Sequence, residues 1–304
     1  MSRQRAFWTL VACTAAIFLG QRLLVELLKL IIPFILVGIR FSIGSEAFNE
    51  DAFFLIDQLL NPIVVFTPAM IFYALGFKLI KRDISHEPYW YDEFKWRTIP
   101  AYFPACYTLA VVASYINVFL VIIFADMFMK DIDKLLPDPF EHLLPSTAFQ
   151  WAMMFLFIGI IGPILEELVY RKYLLNPLRR FGDKWAILVT SLLFGILHGN
   201  LTQFLYAAVA GVLLGILTVR AGSVIPAIIV HALNNLYNVL LMYFRSLVPT
   251  IDEHGEAISS ELIKAHPITA SVDRFTVLFL LTGVICIVCL AWKGHLRVSD
   301  EYNT

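Results

Sequence analysis

Charge is what this sequence has least of. Asp, Glu, Lys and Arg make up 15% of its 304 residues, against about a quarter in a soluble globular chain. What charge there is nearly cancels: 23 Lys and Arg face 24 Asp and Glu, a formal net charge of −1. No basic excess exists to hold a polyanion, which excludes nucleic acid as a partner. Cysteine is sparse as well. Cys13, Cys106, Cys286 and Cys289 all fall in apolar stretches. The last two have Cys-x-x-Cys spacing, but no second pair would complete a zinc site and no βαβ pattern surrounds them. They read as small apolar residues on one face of a helix. The sequence has no evident internal repeat, no low-complexity segment, no His-Glu-x-x-His and no Asp-His-Ser constellation. What remains is hydrophobic. Apolar residues reach 59%, aromatics 14% with 25 Phe, and mean hydropathy is +0.75. That excludes a disordered chain and an ordinary soluble enzyme, and predicts one all-α polytopic membrane bundle.

A helix needs about 20 mostly apolar residues to cross a bilayer. About eight stretches qualify: roughly 7–39, 59–80, 99–125, 148–168, 185–200, 201–219, 223–244 and 275–292. The first carries Arg22, Glu26 and Lys29, so it is either one tilted helix or a surface helix followed by a shorter span. The fifth and sixth are separated only by Gly199 and Asn200 and must form a tight pair. Loop charges alternate. Arg3 and Arg5, then Lys78 to Arg97, then Arg171 to Lys184, then Arg220, then Lys293 and Arg297 form the basic side. Glu46 to Asp57, Asp126 to Glu141 and Asp252 to Glu261 form the acidic side. The positive-inside rule places both termini in the cytoplasm, which needs an even number of crossings. Eight satisfies it. Residues 10–13, Leu-Val-Ala-Cys, look like a lipoprotein cleavage box, but the apolar run before them is short and hydrophobicity continues past Cys13, so an uncleaved first span is expected.

In lipid an ionisable side chain is costly and marks a functional site by default. Of seven histidines, only His198 and His231 lie inside hydrophobic segments. Three short patterns gather most of the intramembrane polarity. In Glu166-Glu167-x-x-x-Arg171, Glu167 and Arg171 are i,i+4 neighbours and can pair. Glu166 points about 100° away and keeps no such partner, the setting of a general base. In Phe194-x-x-x-His198 the ring can pack beside the imidazole; a helix-end histidine bonded to a carbonyl is the blander reading. In His231-x-x-x-Asn235 both side chains can donate to one point, as a developing oxyanion requires; polar glue between helices is the alternative. Asn234 and Asn238 fit glue better. Gly211, Gly215 and Gly222 read as close helix packing.

Together, on three spans and in this order, the patterns resemble the motifs of the CAAX-protease and bacteriocin-processing family of intramembrane endopeptidases, also called Abi proteins. The likeness covers about 147–246, and eight helices are similar to what its prenyl-protein endopeptidase branch has. The chain then divides into N-terminal spans 1–146, a catalytic helical core 147–246, and an outer loop with the last span, 247–304. The resemblance implies Glu166 as general base, His198 helping to activate a water, and His231 and Asn235 stabilising the oxyanion. Glu167, Arg171 and Phe194 would support them. It implies a membrane-embedded or lipidated protein substrate, cut by CAAX-type trimming or by bacteriocin- or secretion-type processing. The setting would be a bacterial or archaeal cell membrane, or the endoplasmic reticulum of a eukaryote.

No cofactor is favoured. The rival is zinc held by Glu166, His198 and His231, with a fourth position for water. The alternative function is a non-proteolytic scaffold, immunity or transport-associated protein that uses the same residues for packing or ligand binding. Against transport, the polar motifs sit only in spans four to seven, with no paired inverted half. Depth leaves a tension. At about 1.5 Å per residue, His231, Asn235 and His198 lie roughly 12, 18 and 20 Å into their spans and can meet at mid-depth. Glu166 falls nearer the cytoplasmic end, so the fourth span must tilt or begin deeper. The mixed loop 245–271 is read as a lid or a linker.

Overall fold

The computed structural model describes residues 94–128, 145–198, 201–250 and 258–298, with a few helical positions between 4 and 27. The spans expected at 7–39 and 59–80 lie essentially outside the described residues. Among those described, every element is helical. After a 3₁₀ turn at Trp96–Thr98 come α1 (Ile99–Phe128), α2 (Ala148–Leu178), α3 (Asp183–Leu197), α4 (Leu201–Ala221), α5 (Ile225–Ser246), α6 (Ser260–Ala265) and α7 (Pro267–Trp292). Five of them, α1, α2, α4, α5 and α7, are long and apolar enough to cross a membrane. The chain is an integral, multi-pass membrane protein.

Two expected spans change. The stretch 185–200 becomes α3, 15 residues long. At about 1.5 Å per residue it reaches about 22 Å, short of the roughly 30 Å hydrocarbon core. It is one arm of a hairpin with α4, and its described residues are fewer than a full crossing needs. The stretch 148–168 becomes α2, 31 residues ending at Leu178. Hydropathy drops at Glu166, but the helix continues because Glu167 and Arg171 neutralise each other inside the protein. α2 is also irregular. It starts as an α-helix capped by Thr147, whose side chain accepts from Gln150 N. It is π-helical over Phe157–Ile161, α-helical over Gly162–Glu167, π-helical again over Leu168–Leu175, and closes with Asn176–Leu178. π-Helical turns are rare and concentrate at functional sites.

The outer loop is shorter than expected. Ser259 caps α6, and Pro267 opens α7 behind His266, eight residues before the expected 275. Hydropathy marks where a helix meets lipid, not where it starts.

α4 is the centre of the bundle, packed against α3, α1 and α5, while α7 packs on α1. One core joins Tyr170, Leu174 and Leu178 of α2 to Ile187 and Phe194 of α3 and Ala207 of α4. A second joins Tyr102 and Cys106 of α1, Leu214 and Leu217 of α4, Val230 of α5 and Leu290 of α7. Gly211 and Gly215 are close-packing positions: a Cβ at Gly211 would press on Ser191 and Phe194, and one at Gly215 on Ile187. Gly222 is not. It is exposed with φ 61, the left-handed conformation of a turn between α4 and α5. The turn into α3 has its own device: Gly182 at φ 113, and Arg179 bonded through Nε and Nη2 to both oxygens of Asp183, at 2.8 and 3.2 Å.

Candidate active site

Helix α2 delivers the two carboxylates. Glu167 is fully buried, and Arg171, one turn on, is fully buried beside it with Nε 3.0 Å from Oε2. That N–H is not aimed along the line, since Arg171 Nε makes no hydrogen bond; the contact is ionic. Arg171 Nη2 lies 3.4 Å from Gly211 O on α4. A Cβ at Gly211 would crowd Ser191 and Phe194, so its lack of a side chain keeps α4 close against α3 at this carbonyl.

Helix α5 brings His231 against both carboxylates. Nδ1 is 2.9 Å from Glu167 Oε1, and Nε2 is 3.6 Å from Glu166 Oε2. The first is a hydrogen bond, and against an ionised carboxylate Nδ1 must be the donor. The second is an approach without a bond. Glu166 Oε2 is buried and takes no hydrogen bond from the described residues. One imidazole thus sits between two neighbouring glutamates, tied to one and facing the other. On a helix successive side chains diverge by 100°, so a ring between them is how a single residue can reach both.

Helix α3 supplies the floor. Phe194 is 2% exposed. The Arg171 guanidinium lies over its ring at 4.9 Å, a cation–π contact. The rings of His198, His231 and Tyr170 meet it edge-on at 4.8, 5.8 and 4.9 Å. His198 Nδ1 lies 2.7 Å from Phe194 O. Since a carbonyl only accepts, Nδ1 is the donor. This is the helix-end bond of the blander reading, and it also holds the ring in place.

Glu166, Glu167, Arg171, Phe194, His198 and His231 are therefore one connected cluster. Asn235 stands apart from it. Its Nδ2 donates to Ile158 O, 3.0 Å away, inside the first π-helical segment of α2. Asn234 bonds within its own helix, Nδ2 to Val230 O at 2.8 Å. Among the described residues no three His, Cys, Asp or Glu side chains converge as a metal-holding group. The depth tension resolves through α2. Glu166 is followed by twelve more residues of the helix, ending at Leu178, so it is not at the helix end and can meet His231 of α5. His231 is only six residues from the start of α5. The members missed in the sequence are Tyr170 and the Gly211 carbonyl. Tyr170 lies inside the Glu-Glu-x-x-x-Arg stretch; a backbone carbonyl leaves no sequence signal.

Residues 148–237 match the family model described as Rce1-like, type II CAAX prenyl endopeptidase Rce1-like. The chain is also 30% identical over 90 residues to "Putative membrane peptidase YdiL" of Bacillus subtilis (strain 168). That alignment covers 29% of this chain and 37% of the relative, so the likeness spans little more than a third of its length. No solved structure matches.

Proposed function

We propose that this protein is an intramembrane endopeptidase that hydrolyses peptide bonds of membrane-associated or lipidated proteins with a water activated by Glu166. The observation that carries the reading is the buried Glu166–His231–Glu167–Arg171 chain, assembled from two helices over a shared phenylalanine. It lies wholly within the stretch that matches the Rce1-like model. The likeness to a peptidase of that description and to the Bacillus protein supports the same class of reaction.

The roles follow from hydrogen-bond chemistry. Glu166 keeps a carboxylate oxygen that takes no hydrogen bond from the described residues, so it can take a proton from water. His198, its ring held by Nδ1 on Phe194 O, is the second group that orients that water. Glu167 occupies His231 Nδ1, which leaves Nε2 to act at the substrate. Nε2 can donate to an oxyanion only when the ring carries both protons. Two glutamates and one arginine leave one negative charge, and an imidazolium at His231 balances it. Asn235 has two amide protons; one is committed to Ile158 O, and the other is the one available to the substrate oxygen. In the reaction the water oxygen bonds to the carbonyl carbon and its proton passes to Glu166. The tetrahedral oxyanion is held by His231 and Asn235, and collapse returns the proton to the leaving amine.

A second reading, a non-proteolytic membrane protein, is favoured by one observation: Asn235 ties α5 to α2 as packing glue would. One experiment separates the two. Protein termini are compared in membranes expressing the wild type and Glu166→Gln at matched abundance. A protease yields termini that vanish in the variant, a loss of about 10²- to 10⁴-fold for a general base. Identical termini would leave the packing reading. The position of cleavage distinguishes C-terminal CAAX trimming from internal processing, and persistence of cleavage in metal-stripped protein excludes a zinc requirement.

A further inference from the structure

Asn117 lies on α1, outside residues 148–237, the stretch that matches the Rce1-like model. Its neighbours face outward: Tyr115 is 74% exposed and Phe119 62%, while Asn117 is 5%. An amide turned into the interior of a membrane bundle is costly unless it is bonded. Asn117 Nδ2 donates to Leu201 O at 2.7 Å. Leu201 is the first residue of α4, at the tip of the α3–α4 hairpin, three residues after His198.

The tip does not end where α1 ends. Asn117 is 18 residues from Ile99, and α1 continues for another 11 residues to Phe128. At about 1.5 Å per residue that is about 16 Å beyond the contact. The hairpin therefore stops partway along α1, and its depth there is fixed by a bond. The bond also reaches His198 through backbone. One turn below the tip, a Cβ at Gly195 would lie 2.5 Å from Phe204 O, so α3 and α4 touch main chain to main chain. Gly195 adjoins Phe194, whose carbonyl holds His198 Nδ1.

We infer that Asn117 is a positioning residue for His198: it clamps the first turn of α4 to α1 and so sets the height of the His198 imidazole over the Glu166 site. The inference rests on the proposed hydrolytic reading, and its test keeps the two separate. The full-length protein in lipid nanodiscs is compared as wild type, Asn117→Leu, Asn117→Gln and Glu166→Gln. Turnover is measured on the substrate named by the terminus comparison. Asn117→Leu, which keeps the shape and removes the donor, is expected to lower kcat about ten- to a hundredfold, the scale of an ångström-sized misplacement. KM is expected to hold. The limb of the kcat–pH profile that disappears in His198→Gln should move. Asn117→Gln, which restores an amide, recovers part of kcat. If Glu166→Gln abolishes cleavage and Asn117→Leu leaves kcat and its pH profile unchanged, the inference fails alone. If Glu166→Gln changes nothing, the hydrolytic reading fails, and hydrogen exchange decides the clamp. In Asn117→Leu, amides of the last turn of α3 and the first turn of α4 should exchange about tenfold faster, with those around Arg171 unchanged. Unchanged protection there overturns the clamp whatever the activity.

Discussion

Glu167 and Arg171 on α2 are completely buried, whereas on α7 Phe275, Val277, Leu278, Leu281 and Ile285 are each more than half exposed. Half of the most apolar stretch of α4 is buried, against 11% for α7. The two regions invert the pattern of a soluble protein in different ways. In the motif-bearing region, polarity is internal and its stability depends on pairing, because lipid offers no competing hydrogen bond. In the α1–α7 pair, apolar side chains face out and gain nothing from being buried, since lipid is as apolar as they are. That pair is held by close approach instead. A Cβ at Gly283 would collide with Thr108 Oγ1 and Pro104 O, and Thr108 Oγ1 donates to Leu280 O at 3.3 Å. The lesson is that a polar change is severe in one region, a steric change in the other, and a conservative apolar change in neither.

The sharpest way to break that contrast is Arg171→Met. It leaves Glu167 as a buried charge without its cation, and should destabilise by about 3–5 kcal/mol. Abundance and thermal unfolding in detergent would show it. Adding Glu167→Gln should recover most of the loss; no recovery would mean that Arg171 acts through the Phe194 ring and Gly211 rather than through the ion pair. Next comes Gly283→Ala, one methyl on α7, expected to cost about 1–3 kcal/mol by overpacking against α1. A neutral result would show that α7 is not locked to α1. Ile285→Leu, on the lipid-facing side of the same helix, should stay within about 0.5 kcal/mol.

The smallest effect concerns pH at the turn after α7. Burial, then Arg220, Lys293 and Lys95, hold His295 below the usual histidine range. The folded state therefore disfavours its proton. Stability is complete above the unfolded value of about 6.5 and declines as pH falls below it. This turn is tied down by Arg220 Nη1 to Gly294 O and Arg297 O, and by Tyr102 Oη to His295 O. Proteolysis near residue 295 should be slightly faster at pH 5.5 than at pH 7.5, and Asn at position 295 should flatten that difference.

The helical class and the starts of α2, α4 and α5 were legible because hydropathy marks them. The ends of α2 and the reach of α3 were not. Hydropathy registers Glu166, Glu167 and Arg171 as departures from lipid, although they leave lipid for the protein interior, so it truncates α2 by ten residues relative to Leu178. It also scores α3 as a crossing because apolar residues facing protein and lipid look the same. The residues of the cluster could be chosen from sequence because ionisable groups are so rare in the spans. Their geometry could not: nothing in the pattern His-x-x-x-Asn says that the histidine turns to Glu167 while the asparagine turns to Ile158 O. Asn117 was invisible for a related reason, since a single amide in a span has no spacing to read.

The two π-helical segments of α2 give that helix a phase. A π turn closes i to i+5 bonds in place of i to i+4, so each holds residues that a regular helix of the same rise would not accommodate. Phe157–Ile161 and Leu168–Leu175 lie on either side of Glu166 and Glu167. The glutamates are thus framed by two places where the count can change. Deleting one residue from either segment would let it relax to an α-helix with the flanks in the same relative rotation, whereas a deletion in the α-helical Gly162–Glu167 between them would rotate one half of α2 against the other by about 100°. A rotation of that kind could keep Ile158 within reach of Asn235 or Arg171 within reach of Gly211, but not both. The chain length between the two segments is thereby as strictly specified as the chemistry of the side chains it carries.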